Sequence, residues 1–174
     1  MYYLLIVGIG LERLVELVVS KQNARWAFAR GGKEHGRPHY PVMVILHAAF
    51  LIGCVVEVGV LDRPFLPWLG WPMVALAVAA QALRWWCILT LGRRWNTLVI
   101  VVPDLPLVVT GPYRYTWLHH PNYLAVVVEG VALPLIHTAW ITALSFTVAN
   151  ALLLRTRIRV ENEALGYAAP RTTA

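Results

Sequence analysis

Five apolar stretches dominate this sequence, and they restrict what it can fold into more than any other feature. A helix needs roughly 20 apolar residues to cross a bilayer. Only 14% of the residues are charged and 59% are hydrophobic, whereas a soluble domain has about 25% charged residues. The sequence therefore predicts an all-α integral membrane protein with about five transmembrane helices. The predicted spans are Met1–Ser20, about Tyr40–Leu61, about Pro67–Leu91, about Asn122–Ile136 and about Ala139–Arg155, which continues as a helix.

The fourth and fifth stretches are nearly continuous, separated by Pro134 and the short segment LIHTA. They form either a tight helical hairpin or one kinked helix. A single helix of about 33 residues would be far longer than a hydrocarbon core of about 30 Å requires. This mismatch favours the hairpin.

Basic residues orient the protein, because loops rich in Lys and Arg stay on the cytoplasmic side of a membrane. Loops one and three and the C-terminal tail hold most of them, which predicts an external N-terminus and a cytoplasmic C-terminus. This distribution also explains the net charge of +6, so a nucleic-acid partner is the weaker interpretation. The residues are Lys21, Arg25, Arg30, Lys33, Arg37, Arg93, Arg94, Arg114, Arg155, Arg157, Arg159 and Arg171.

The chain is predicted to be a single membrane domain, 1–174, without repeats or a separate soluble part. Cys54 and Cys87 both fall within spans and are expected to pack there unpaired. No carboxylate or Cys stands at a metal-ligand spacing from the histidines, so no metal site is expected. The parts are three N-terminal spans (1–91), a cytoplasmic cofactor loop (92–121), the hairpin with the C-terminal motif (122–165) and a tail (166–174).

Several polar residues fall inside the predicted spans, where ionisable groups usually face the bundle interior and pair with one another. In the first span, Glu12 and Glu16 lie one turn apart and are expected to face the bundle or the interface. Arg84 could pair with Glu57 or with Glu129, or it could belong to a functional site. The spacing leaves these possibilities open.

The last helix carries Asn150, Arg157 and Glu161 at spacings of seven and four residues, which align them on one stripe with Leu154 between them. An Asn, an Arg and a Glu at the predicted cytoplasmic end of a span suggest the wall of a polar pocket. A surface ion pair between Arg157 and Glu161, which contributes about 0.3–0.5 kcal/mol, fits the spacing equally well.

The loop before the fourth span is polar and aromatic and is bounded by Pro112 and Pro121. Tyr115 and its neighbours offer aromatic faces and hydrogen-bonding groups on the same predicted side as the tail. Loop and tail together could enclose a flat, polar, charged molecule such as an adenosine-bearing cofactor.

Four motifs follow one another in the C-terminal half: LGRRW from Leu91, GPY from Gly111, HPNY from His120 and RIRVENEAL from Arg157, in which Arg157 and Glu161 form R-x-x-x-E. Together they resemble the isoprenylcysteine carboxyl methyltransferase family, integral-membrane enzymes that use S-adenosylmethionine. The resemblance covers about Leu91–Leu165. Where the family has Arg before HP, this chain has His119, and where it has a second Glu, this chain has Asn162.

The resemblance implies roles for individual residues. Glu161 would lie near the cofactor's amino group or the methyl-transfer site, and Arg157 would face the reacting end of the substrate, so both are the expected catalytic residues. The stripe on the last helix adds Asn150 to Arg157 as substrate-binding. The implied cofactor-binding residues are Tyr113, His120, Pro121, Tyr123 and Glu161.

The function expected from this resemblance is methyl transfer from S-adenosylmethionine, with S-adenosylhomocysteine as product, to an oxygen of a lipid-like acceptor. The family default is the carboxylate of a prenylated cysteine, and the hydroxyl of a lipidic alkylresorcinol or alkylpyrone is the alternative. A non-catalytic membrane scaffold or transporter subunit is a further alternative, which the changes at His119 and Asn162 favour. Membrane lipids are expected around the protein, with no obligate protein partner, in the cytoplasmic membrane of a bacterium or the endoplasmic reticulum of a eukaryote.

Overall fold

The computed structural model describes residues 1–115 and 120–166. These residues form five α-helices and one short antiparallel pair of strands, so the all-helical class is confirmed, with a strand pair that the sequence did not predict. The first helix also continues about two turns beyond its expected end at Ser20. The elements are α1 (Tyr2–Phe28), β1 (Lys33–His35), α2 (Tyr40–Val60), α3 (Pro67–Leu91), β2 (Val99–Val101), α4 (Pro121–Leu135) and α5 (Trp140–Ala164), with 3-10 turns at Arg37–His39, Gly92–Arg94 and Gly111–Arg114.

Two helices begin with proline. Pro67 opens α3 and Pro121 opens α4, where the missing N–H costs nothing because the first turn has no partner for it. After α4, the backbone N–H of Ala139 donates to the carbonyl of Pro134 at 2.9 Å and closes a tight turn before α5. The last two apolar stretches are therefore a hairpin of two helices and not one kinked helix.

Helix α4 packs between α3 and α5 at the centre of the bundle. A Cβ at Gly130 would collide with the ring of Phe146 on α5, so glycine permits the close approach of these two helices. Leu133 and Ala132, one turn away, are fully buried. The buried core consists of Tyr2, Ile6, Ile9, Phe50, Cys54, Val58, Ala77, Val126, Ala132, Leu133, Ile136, Ala139 and Phe146.

Two helices, over Arg37–Val60 and Pro67–Arg94, are long and apolar enough to cross a membrane, and α4 is a shorter apolar helix. Helices α1 and α5 are long but carry more charge. Many large apolar side chains on α1–α3, such as Ile45, Trp68 and Val78, are exposed, and such a surface fits lipid better than water. The five-span topology and the orientation of the termini remain predictions.

Four charged side chains from three helices form what we call the bundle network: Arg13 and Glu16 on α1, Arg84 on α3 and Glu129 on α4. Arg84 Nε donates to Glu16 Oε1 at 2.6 Å, and its Nη1 lies 3.6 Å from Glu129 Oε2. Arg13 Nη1 donates to Glu16 at 2.8 Å and also bonds Glu129. Of the two partners that the sequence offered for Arg84, Glu129 is therefore in contact, together with Glu16.

Glu57 has a different role from the one considered for it. Its carboxylate accepts the backbone N–H groups of Ile141 at 3.2 Å and Thr142 at 2.7 Å, and Arg63 Nη2 lies 2.8 Å away. These N–H groups belong to the first turn of α5, which has no partners within the helix. Glu57 is thus a cap that α2 supplies to α5.

The strand pair joins the loop after α1 to the loop after α3, with Glu34 opposite Ile100. Both strands contact α5, and a Cβ at Gly36 would lie 2.8 Å from Val160 Cγ1. Both loops and the last turns of α5 therefore meet at one end of the bundle, which we call the loop end.

Candidate active site

The start of α4 meets the last turns of α5 at the loop end. His120, the residue before α4, places its Nε2 2.9 Å from Asn162 Oδ1 and its Nδ1 3.7 Å from Glu161 Oε1. The predicted meeting of loop and tail is thus present for these residues. Asn162, which departs from the family pattern, keeps a polar contact with the histidine.

Tyr123 links the two functional positions of α5. Its hydroxyl donates to Glu161 and accepts a hydrogen bond of 2.8 Å from Arg157 Nε. Its ring also stacks on the imidazole of His120, with centroids 5.2 Å apart. No ion pair within 4.0 Å joins Arg157 to Glu161 in the described part of the chain, so the surface ion pair considered for this stripe is not what the structure has.

Arg157 is buried, with 6% of its surface exposed. Besides Tyr123, its guanidinium donates to the carbonyl of Thr97 at 2.5 Å and contacts Met43 Sδ at 3.1 Å. All three partners are uncharged, and none of the ion pairs among residues 1–115 and 120–166 includes Arg157. The nearest carboxylate, Glu161, is reached only through the Tyr123 hydroxyl. A buried cation without a direct ion pair is costly, so this position favours an incoming anion.

His120 and Glu161 shift each other's protonation, and both lie outside the apolar part of the helices. Burial opposes the charged imidazole, but the Glu161 carboxylate 3.7 Å away and the hydrogen bond with Asn162 raise the pKa of His120 above its usual value. Burial also opposes the carboxylate, but the contact with His120, the hydrogen bond from Tyr123 and the charge of Arg157 lower the pKa of Glu161. The pair therefore favours an imidazolium beside a carboxylate.

The segment after α3 is held by the extension of α1. Asn23 Nδ2 donates to the carbonyl of Trp95 at 2.8 Å, and Asn96 Nδ2 donates to the carbonyl of Ser20 at 3.1 Å. These contacts bring the carbonyl of Thr97 to Arg157. Sequence reasoning missed these residues because it ended the first helix at Ser20. The polar run SKQN, which begins at Ser20, was the available signal for polar contacts beyond the span.

The GPY motif is anchored to the end of α3. Gly111 has φ of +55°, and a Cβ there would lie 2.5 Å from Thr90 Oγ1, so this turn requires glycine. Tyr113 is largely buried beside Cys87, and burial raises the pKa of its phenol. Tyr113 is held with its side chain between α3 and the site.

A first cavity of about 200 Å³ lies at the loop end. All four residues expected to bind a cofactor around the loop line it, together with Glu161, Arg157 and the basic residue Arg94. Buried polar atoms without a partner among the described residues, Trp95 Nε1 and Asn122 Oδ1, belong to the same lining. The four expected cofactor-binding residues that line this cavity are Tyr113, His120, Pro121 and Tyr123.

A second cavity, of about 260 Å³, lies deeper between α1, α2, α4 and α5 and is mostly apolar. Asn150, which is 3% exposed, lines this second cavity and not the first. The stripe on α5 therefore runs past both cavities. The two cavities share one wall, formed by Trp95, Asn96, Asn122, Tyr123 and Arg157.

Two predicted features can be placed only in part. His119 and residues 167–174 lie outside the described residues, so the structure says nothing about them.

Among the described residues no group of three or more His, Cys, Asp or Glu side chains could hold a metal ion. Cys54 and Cys87 are buried and free.

A model of the isoprenylcysteine carboxyl methyltransferase (ICMT) family matches residues 73–167, more than half of the 174-residue chain. The chain belongs to the ICMT family. Membership makes it a relative of membrane methyltransferases. The match includes the hairpin of α4 and α5 and all the residues discussed at the loop end except those contributed by α1, α2 and β1.

Two bacterial relatives of this ICMT-family chain are similar over nearly its full length. One is the uncharacterized protein YpbQ of Bacillus subtilis, 39% identical over 95% of this chain and 96% of its own. The other is an uncharacterized protein of Haemophilus influenzae, 24% identical over 92% of both chains. Since neither name states an activity, the family alone connects this chain with methyl transfer.

Proposed function

We propose that this protein transfers a methyl group from S-adenosylmethionine to an oxygen of a lipid-like acceptor, by default a carboxylate such as that of a prenylated cysteine. The observation that carries the proposal is Arg157, a buried cation without a direct carboxylate partner, in the wall between a cavity of mixed polar and apolar lining and a mostly apolar one. One cavity suits a water-soluble cofactor, and the other suits a lipid chain.

The residues of the first cavity fit S-adenosylmethionine, which supplies a methyl group on a positively charged sulfur. The Glu161 carboxylate is suited to a cationic group of the cofactor, since its lowered pKa keeps it ionised. Arg94 lines the same cavity and is suited to the cofactor's carboxylate. The partnerless Trp95 Nε1 and Asn122 Oδ1 leave one donor and one acceptor for the cofactor's polar atoms.

Arg157 would hold the acceptor. A guanidinium binds a carboxylate through two parallel hydrogen bonds and so fixes its direction. A carboxylate is ionised at neutral pH and needs no general base. The protein then contributes mainly by aligning the two reactants, which can lower the barrier by at most about 7–11 kcal/mol.

The geometry also supports the second acceptor class, a phenol or enol hydroxyl. Such an acceptor has to lose a proton, and the His120–Glu161 pair lines the cavity next to Arg157. Of the two, Glu161 is the ionised carboxylate and so the candidate base, although its lowered pKa makes it a weak one, and the raised pKa of His120 favours the protonated imidazolium. Glu129, which the sequence also offered, is bound in the bundle network instead.

We infer a multi-pass protein with the loop end on the cytoplasmic side, where S-adenosylmethionine is made. The cofactor would then enter from the loops and the lipid from the bilayer. Single cysteines at Arg94 and Asp62, in an otherwise cysteine-free variant, are expected to react with membrane-impermeant reagents on the cytoplasmic and the opposite side. Reaction of a cysteine at Arg94 from outside would contradict this orientation.

The cofactor proposal is tested by calorimetry of the detergent-purified protein with S-adenosylhomocysteine. We expect micromolar binding that is lost in Glu161→Ala and strongly weakened in His120→Ala, and retained in Arg159→Ala, an exposed position on the same helix. Absence of binding by the unmodified protein would favour a non-catalytic membrane protein.

The acceptor is tested by transfer of label from S-adenosylmethionine to farnesylcysteine analogues and to long-chain resorcinols. Arg157→Met is expected to reduce transfer to the carboxylate by about 100-fold or more, and Glu161→Gln should have its larger effect on transfer to the resorcinol. Transfer to neither class would remove support for both acceptors.

A further inference from the structure

The second cavity carries polar side chains at two depths. At the upper level Arg157 contacts Met43 and Thr97. His47 follows Met43 by one turn of α2, about 6 Å deeper, and Asn150 precedes Arg157 by seven residues of α5, about 10 Å deeper. Both line the cavity. The cavity is therefore polar at its upper level and polar again one to two helical turns below it.

Asn150 is the member of this lower level that lacks a partner. It is 3% exposed, and its Oδ1 has no hydrogen-bond partner among the described residues. A buried amide oxygen without a partner costs about 1–3 kcal/mol. A packing role does not explain an amide here, since leucine has a similar volume and no such cost.

The bundle network supplies the rest of the lower level, because Arg13, Glu16 and Arg84 line the same cavity. With Glu129, the network contains two cations and two anions in mutual contact. Among the described residues, no charged side chain that lines the cavity at this level is free, and Glu12, one turn before Glu16, bonds Gln81 and Trp85 outside the lining. Arg84, which lines the cavity, has a buried Nη1 that makes no hydrogen bond to a described residue, although it lies 3.6 Å from Glu129 Oε2.

We propose that the lower level is a second binding site for the acceptor, and that it holds a hydroxyl group about two helical turns, or about 10 Å, from the oxygen that is methylated. A hydroxyl can donate to Asn150 and accept from Arg84, and it is neutral, as the balanced network requires. The identification of the ligand as the methyl acceptor rests on the proposed function. The existence of a hydroxyl-binding site at Asn150 does not depend on it.

Fatty acids with a hydroxyl at different positions test the site. The probes are 10-hydroxyhexadecanoate, whose hydroxyl lies about as far from its carboxylate as Asn150 lies from Arg157, 2-hydroxyhexadecanoate and plain hexadecanoate. Their affinities are measured by displacement of fluorescent cis-parinarate from the full chain in one fixed detergent. The 2-hydroxy isomer controls for polarity, because its hydroxyl stays at the upper level.

We expect the 10-hydroxy isomer to bind about tenfold more tightly than the 2-hydroxy isomer, the effect of one well-placed hydrogen bond. Asn150→Leu should remove this preference and leave hexadecanoate binding in place, and Asn150→Ser should keep part of it. Equal affinities of the two isomers for the unmodified protein would overturn the proposal, whatever the variants do. A preference that survives in a folded Asn150→Leu would also overturn it.

The same probes separate this inference from the proposed function. If the position-dependent binding is found but none of the acids, farnesylcysteine analogues or resorcinols accepts label from S-adenosylmethionine, the methyl transfer fails and the binding site stands. If label is transferred and the isomers bind equally, the methyl transfer stands and the second site fails.

Discussion

Two regions of this molecule use the same residue types in opposite ways. In the bundle network Arg84 and Arg13 contact Glu16 and Glu129, and every charge has an opposite charge beside it. At the loop end Arg157 and Glu161 are on one helix but are joined only through the hydroxyl of Tyr123. The first arrangement satisfies its own charges, whereas the second leaves a buried cation for a ligand.

This difference shows which polar residues of an apolar bundle hold helices together and which face a ligand. Charge balance decides the matter, because an unpaired buried charge is costly unless something binds to it. Location in the bundle does not decide it, since Asn150 lines the same cavity as Arg13, Glu16 and Arg84 and is nevertheless unsatisfied.

The largest expected effect is on the bundle network. Arg84→Met leaves Glu16 and Glu129 short of a cation, so we expect a loss of about 3–5 kcal/mol in the free energy of unfolding. The measurement is unfolding in mixed micelles by titration with a denaturing detergent. Arg159→Met, at an exposed position of α5, is the control. Equal stability of the two variants would mean that the network does not hold the helices.

Arg157 is expected to behave in the opposite manner. Arg157→Met removes an uncompensated charge, so folding should change little, while kcat/KM for a carboxylate acceptor should fall by about 100-fold or more. Arg157→Lys keeps the charge but lacks the planar fork and should be intermediate. The contrast between the two regions would be wrong if Arg157→Met lowered the free energy of unfolding as much as Arg84→Met does.

A third test concerns the scaffold of the loop end. Gly31 and Gly111 both have a positive φ, +76° and +55°, but only a Cβ at Gly111 meets neighbouring atoms. Both alanine variants should lower the free energy of unfolding by about 1–2 kcal/mol because alanine is strained at a positive φ. Gly111→Ala should lower it by about 1 kcal/mol more because its Cβ overpacks against Thr90. Thermal unfolding measures the difference, and Thr90→Ala should suppress it in the double mutant. Equal losses would show that the GPY turn is not packed on α3.

The smallest effect is the pH dependence of the His120–Glu161 pair. The pKa of His120 is raised, so its stabilisation is present below the usual histidine pKa and is lost as pH rises through the folded value. The pKa of Glu161 is lowered, so its contribution persists until pH falls well below the usual range. The destabilisation by His120→Gln should therefore be larger at about pH 5.5 than at about pH 9.

Melting temperatures of the unmodified protein and the His120→Gln variant at the two pH values give this comparison. In a Glu161→Gln background the pH dependence should disappear, because the carboxylate that favours the imidazolium is gone. A destabilisation by His120→Gln that is the same at both values would mean that the pair carries no charge.

The apolar runs, prolines and polar spacing of the sequence predicted much of the fold and the main residues of the loop end. The limits of α3 follow from an apolar run, the hairpin of α4 and α5 from a length too great for one span, and the stripe Asn150–Arg157 from helical periodicity. None of these needs knowledge of other elements. The extension of α1 was missed because polar residues after Ser20 resemble a loop. The strand pair was missed because pairing between two loops depends on long-range contacts.

The partners of each charge could not be predicted in this way. From the sequence, Arg84 had two candidate carboxylates and Arg157 had Glu161 one turn away. The folded chain joins Arg84 to Glu129, one of the two candidates, and also to Glu16, which was not considered, and it separates Arg157 from Glu161 by Tyr123. Spacing on one helix shows which side chains can meet, but it does not show which neighbour from another helix competes for them.

The sequence by itself determined that the chain forms an apolar helical bundle and belongs among the ICMT proteins, because composition, periodicity and ordered motifs are properties of the chain alone. Only the tertiary structure decided which buried charges are neutralised, that Arg157 stands in the wall between two cavities, and that Asn150 lies unsatisfied below it. The physical reason is that a charge or a hydrogen bond is satisfied by whatever lies within a few ångströms, and residues far apart in the chain become neighbours only when the helices pack.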